Sequence, residues 1–166
     1  MPGTLRIVLG ASIAWSCATG TIPERSPRHH DLDPVPAQQV VDGPDDAEVI
    51  MFVTMLQKTR ADAGCRPIAW DARIAAVAGK HSADMAERAY FSHTNPDGRD
   101  PFDRLRDAGL PFRAAAENIA KVMSAPAVHD SWLASPGHRR NMLDCSFTHH
   151  GAGRSGAHWT HLFVQR

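Results

Sequence analysis

His81-Ser82-Ala83-Asp84-Met85-Ala86, and then Phe91-Ser92-His93-Thr94-Asn95-Pro96-Asp97-Gly98, is the stretch on which the reading of this chain turns. Its first half belongs to a helix. Asp71 caps it, and Ile74, Val77, Ala78, His81 and Met85 recur at helical spacing. His81 therefore falls on the buried stripe, where it is expected to be a hydrogen-bonded core residue. The second half ends that helix. Asn95-Pro96-Asp97-Gly98 has the residue preferences of a type I turn, which holds His93 beside a tight corner.

Working outward, Val49, Phe52, Val53 and Leu56 give an earlier helix that opens at Pro44 and Asp45-Asp46 and stops after Arg60 at Gly64. Downstream, Asp100 and Pro101 begin a short third helix carrying Phe102 and Leu105, closed by Gly109. Ser124 and Pro126 begin a fourth, with Val128 and Trp132 one turn apart. Ser135-Pro136-Gly137 ends it, so that His138 follows a break. The period then changes. Phe147 to Gly153 and His158 to Val164 read as short strands joined by Arg154-Ser155-Gly156-Ala157, a hairpin. Helices first and an antiparallel pair last is an α+β order.

The chain has 166 residues, with 18 Lys and Arg against 18 Asp and Glu. That length holds one domain plus tails, and the balanced charge leaves no basic excess for phosphates, so nucleic acid is not an expected partner. The 10 histidines are the one compositional excess and direct attention to metal or proton chemistry. Residues 1–18 read as an export leader, with Arg6 ahead of a short apolar run from Ile7 to Trp15. Two processing schemes stay open. Ser16-Cys17-Ala18 offers small residues to ordinary signal peptidase, whereas Ala14-Trp15-Ser16-Cys17 is an imperfect lipobox in which Cys17 would be acylated. Residues 19–43, with prolines 23, 27, 34 and 36 among polar residues, are expected to be a disordered linker, and residues 44–166 the folded domain.

With Cys17 set aside, Cys65 and Cys145 form an even pair in a chain whose leader sends it to an oxidising compartment, so they are expected to be bridged. Closing so long a loop would restrict the unfolded chain by roughly 4 kcal/mol. No HExxH, paired CxxC, Walker loop, GxGxxG or GxSxG is present.

Trp70-Asp71, the two strings quoted above, Glu117-Asn118-Ile119-Ala120 and the run from Trp132 to Arg139 follow one another in an order that resembles a bacterial CAP domain. This superfamily includes cysteine-rich secretory proteins, venom antigens and pathogenesis-related plant proteins. The resemblance covers about Asp45 to Val164 and implies an α-β-α sandwich, with a small antiparallel sheet between helical layers. It carries the family's cleft residues onto His93, Glu117 and His138. Two imidazoles and a carboxylate suit zinc with one position left open, so zinc is the expected metal. Glu117 is alternatively a general base toward metal-bound water. The family's second cleft glutamate falls on Ser135, which cannot do a carboxylate's work, and Ala116 stands where the family has Gly. His158 and His161 point to opposite strand faces and are expected at surface or rim positions.

Two functions of different class follow from this resemblance. The first is an exported module, secreted or anchored at the cell envelope, that binds a lipid-like or cell-envelope ligand. It would touch a membrane only through an acylated Cys17, and a monomer is expected. The alternative is a zinc-assisted, peptidase-like hydrolase using the same cleft, with Glu117 as catalytic base.

Overall fold

The Asp46 carboxylate accepts hydrogen bonds from the backbone of Glu48 and Val49 and so starts the first helix, α1, Ala47–Asp62. The computed structural model describes residues 44–166; the leader, the linker and Cys17 lie outside the described residues. After β1 (Ala69–Trp70), Asp71 caps α2 (Ala72–Glu87), which buries the expected stripe of Ile74, Val77, Ala78, His81 and Met85. Asp100 and Asp103 form a reciprocal capping box that opens α3, Pro101–Asp107. Next come β2 (Ala114–Lys121), α4 (Ala125–Ala134), α5 (Pro136–Leu143), β3 (His149–Ser155) and β4 (His158–Gln165). Among the described residues no helix is long and apolar enough to cross a membrane.

The hairpin expected at the C-terminus is present, closed by a two-residue turn in which Gly156 takes φ +55. The sheet around it is larger than that hairpin, and it is mixed. Four strands lie in the order β1-β3-β4-β2, with β1 parallel to β3 and the other pairs antiparallel. Strand β4 is central and covered on both faces. Trp159 and Phe163 pack with Phe52, Val128 and Trp132 from α1 and α4, whereas Leu162 and Val164 pack with Ile74, Val77 and Leu105 from α2 and α3. The result is the α+β, helix–sheet–helix sandwich.

Strand β3 approaches α2 unusually closely. A Cβ on Gly151 would stand 2.2 Å from the Ala75 nitrogen, and one on Gly153 would stand 2.5 Å from the Cα of Gly79. Only hydrogen side chains let this helix lie on this strand. Cys65 and Cys145 are bridged, with Cα atoms 5.0 Å apart, which ties the end of α1 to the loop after α5. The buried Arg60 guanidinium reinforces the same tie by donating to the carbonyls of Met142 at 2.8 Å and Asp144 at 2.9 Å.

Two local expectations are corrected. The chain does not break after α4. Ser135 ends that helix and Pro136 begins α5, placing His138 in the first turn of a helix. His161 is not at a surface or rim position; it is fully buried, as is His150, because both faces of the central strands are covered.

Candidate functional site

Glu117 sits on β2, an edge strand of the sheet, and its neighbour Asn118 points to the opposite face, as successive strand residues must. This dipeptide grips both helical layers. On the α2–α3 face, Glu117 Oε1 lies 2.8 Å from His93 Nδ1 and Oε2 accepts from Arg104 at 2.7 Å. On the α4–α5 face, the Asn118 amide donates to the His138 carbonyl at 3.1 Å, and Asn141 donates to the Asn118 oxygen at 2.9 Å. The edge itself is covered by side chains: Trp132 Nε1 donates to the Ile119 carbonyl, and the Asn141 amide reaches that of Glu117. The cleft therefore wraps around the edge of one strand.

Each element places its residue for a local reason. His93 belongs to the segment that leaves α2 through Ala89, which takes φ 54, and is then turned back by Asn95 to Gly98, where the Gly98 N–H donates to the Asn95 carbonyl at 2.9 Å. His81 anchors this segment from within the core, its Nε2–H donating to the Ser92 carbonyl at 3.0 Å. The Tyr90 hydroxyl bonds Asp84 and lies 3.3 Å from His81 Nδ1. Burial holds the His81 ring below the usual imidazole range, with the Arg104 charge pushing the same way, against the Glu117 carboxylate. The resulting gradient of exposure decides the chemistry. The Glu117 side chain is 1% exposed and that of Arg104 12%, whereas His93 is 50% exposed at the mouth.

His93, Glu117 and His138 thus come together around β2. His138 is partly buried, and its affinity for a proton is lowered by that burial first and by the His93 charge second. The Trp132 ring lies 6.3 Å from that of His138. Ser135, at the α4–α5 junction, makes no capping hydrogen bond through its side chain. Arg104 belongs to the site although its sequence context gave no sign of it, since an arginine on a short amphipathic helix reads as a solvated charge. Asn141 is likewise unannounced.

A three-donor metal set does not fit this geometry. Both oxygens of Glu117 are already engaged, one by an imidazole and one by a guanidinium, and among the described residues no three His, Cys, Asp or Glu groups converge to hold an ion. Glu117 stands behind His93 as its carboxylate partner, an arrangement that leaves the His93 Nε2 facing away from the carboxylate. A groove of about 810 Å³ also lies along β3, lined by Val49, Trp70, Ala72, Ala75 and Arg154; it contains no histidine, and its Arg154 is paired with Asp46.

A mixed four-stranded sheet between two helical layers, with a His–Glu–His cleft around its edge strand, defines the class. The chain matches the family described as CAP, the cysteine-rich secretory protein family, over residues 53–165, and it belongs to that family. It is 36% identical over 115 residues to the uncharacterized protein YkwD of Bacillus subtilis (strain 168), covering 68% of this chain and 45% of that protein. It is 38% identical over 108 residues to the uncharacterized membrane protein YlbC of the same organism, covering 64% and 31%. The chain spans less than half the length of these curated relatives. Among solved structures, it is similar to an extracellular protein containing a SCP domain from Bacillus anthracis str. Ames, with 31% identity, a TM-score of 0.70 and coverage of 75% and 45%. An outer surface protein from Borrelia burgdorferi shares the fold at 19% identity and a TM-score of 0.69, covering 75% of this chain and 96% of that one.

Proposed function

We propose that this chain is an exported binding module in which His93 and His138 meet the polar part of a lipid-like or cell-envelope ligand. The observation that carries this reading is the double engagement of Glu117. A carboxylate whose two oxygens are bonded to His93 and Arg104, and whose side chain is 1% exposed, is placed to orient an imidazole and is poorly placed to meet a water. Export is supported by the leader-like N-terminus, the Cys65–Cys145 bridge and the extracellular protein from Bacillus anthracis to which the chain is similar. Phe91, two residues before His93 and 50% exposed, offers an apolar surface for part of the ligand, its ring 6.5 Å from that of His158.

The zinc-assisted hydrolase is the second reading, favoured by the two imidazoles that face the cleft. A zinc ion held by His93 and His138 would supply a Lewis acid for a ligand oxygen. One experiment separates the two readings. A fluorescent fatty-acid probe and an insoluble cell-wall preparation are offered to the wild type, to His93→Ala with His138→Ala, and to Glu117→Gln, while casein is monitored for cleavage. Saturable binding that disappears in the double variant supports the module. Equal binding by all three proteins, or casein cleavage that vanishes in Glu117→Gln, overturns it.

A further inference from the structure

We propose that Arg104 is the positioning residue of the cleft, holding the Glu117 carboxylate and the His93 backbone together and so fixing the His93 ring as its Nδ1–H tautomer, with the Nε2 lone pair presented to the ligand. This rests on the reading of His93 as a ligand-meeting group. One guanidinium joins three segments. A terminal nitrogen of Arg104 donates to Glu117 Oε2 at 2.7 Å, and the other donates to the carbonyls of His93 and Arg99, each at 2.9 Å. Strand β2, the loop that carries His93 and helix α3 therefore share a single planar cation. Among the described residues no other Lys or Arg forms an ion pair with Glu117.

The consequence for His93 follows from proton counting. A carboxylate only accepts hydrogen bonds, so the nitrogen that faces Glu117 Oε1 at 2.8 Å must carry a hydrogen, and in a neutral ring the other nitrogen then has none. This assignment holds only while Glu117 stays a carboxylate pointing at His93. Its side chain is 1% exposed, so water does little to hold that charge, and Arg104 is the group that does. Without the guanidinium, Glu117 is free to turn away from His93. It would then no longer demand a hydrogen on Nδ1, and the ring would populate both tautomers. Lysine is a poor substitute, because a compact ammonium on a flexible stem does not reproduce a planar fork that bonds a carboxylate and two carbonyls at once.

The test is ring-nitrogen NMR on the full chain at about pH 8, above the ordinary imidazole range. Wild type, Arg104→Gln, Arg104→Lys and Arg106→Gln are compared, and zinc titration serves as a separate probe. In wild type, His93 is expected to show a protonated Nδ1 and an unprotonated Nε2. Arg104→Gln is expected to average the two signals and to weaken zinc binding by roughly 10- to 100-fold, the usual cost of losing an outer partner of a metal-binding histidine. Arg104→Lys should fall between the two, and Arg106→Gln, on an exposed residue of the same helix, should match wild type. The buried His161 signals serve as the fold control. A folded Arg104→Gln with the wild-type His93 signature overturns the proposal. Should that variant fail to fold, Arg104→Lys decides: a partly averaged signature supports the proposal, and an unchanged one overturns it. Zinc that fails to bind wild type removes the metal reading of the cleft while the ring signature still judges Arg104.

Discussion

Two histidine pairs in this domain are built on opposite principles. At the cleft, His93 has a buried carboxylate behind it and solvent in front, and His138 lies partly buried across the edge strand. In the core, His150 Nδ1 and His161 Nε2 lie 3.0 Å apart, both residues fully buried, among Phe52, Trp70, Trp132 and Phe163. The core pair has no carboxylate partner, and Arg60 is the charge nearby. Burial, the Arg60 charge and neighbouring histidines all disfavour protonation: His150 is pushed down to about 3, and His161 well below its ordinary range. The same side chain is thus a polar filler in one place and a solvent-facing group backed by a carboxylate in the other. What separates them is the carboxylate behind the ring and the access of water.

The largest expected effect comes from acidifying the core pair. Because the folded state keeps both rings neutral while the unfolded chain takes up protons near pH 6.5, these two residues leave stability unaffected above that value and remove it progressively as pH falls toward 3. Two such groups should cost about 4 kcal/mol between pH 7.5 and pH 5. Urea unfolding across that range checks this, and His150→Leu with His161→Phe should flatten the slope by about two protons. An unchanged slope would place the acid sensitivity elsewhere.

Next in size is the removal of one core ring. His161→Ala leaves a cavity between Phe52, Trp132 and Phe163 and strands His150, with an expected loss of about 3 kcal/mol in the same unfolding assay. A loss below about 1 kcal/mol would mean that the pair contributes little to packing. The cleft should respond in the opposite sense. His93→Ala and His138→Ala are expected to change stability by less than about 1 kcal/mol while abolishing binding of the lipid or cell-wall probe. Comparable destabilisation at both sites would dissolve the contrast between the pairs.

The smallest stability change is expected for Ser135→Glu, which places a carboxylate at the position where the family has its second glutamate. Stability should move by only a few tenths of a kcal/mol at so partly exposed a site, while zinc affinity rises by about tenfold as a third donor becomes available. Zinc titration by calorimetry reads the change, and an unaltered affinity would place Ser135 outside the reach of the imidazoles.

Much of the fold was legible in local chemistry. Asp71 and Asp100 cap the helices they were expected to cap, the first helix opens at the expected acidic pair with Asp46 as its cap, Gly64 and Gly109 take positive φ after helix ends, and the α2 stripe is buried as its spacing implies. Each of these depends on contacts within a few residues. Strand β2 did not announce itself, because Ala114 to Lys121 shows no apolar–polar alternation and its alanines favour helix. It is a strand because β4 pairs with it along its length.

The cleft divides in the same way. The motifs around His93, Glu117 and His138 marked those residues through their resemblance to CAP domains, and the residue types alone named the candidate chemistry. Tertiary structure decided that Glu117 faces His93 and Arg104, and that His138 arrives from the opposite layer on a helix, held through Asn118. It also decided that His150 and His161 are core residues. The amino-acid sequence by itself determined where helices start and stop, since capping and turn energies are local. The roles of the histidines were settled only in the folded chain, because burial and a carboxylate partner come from segments far apart in sequence, brought together by the packing of two helical layers on one sheet.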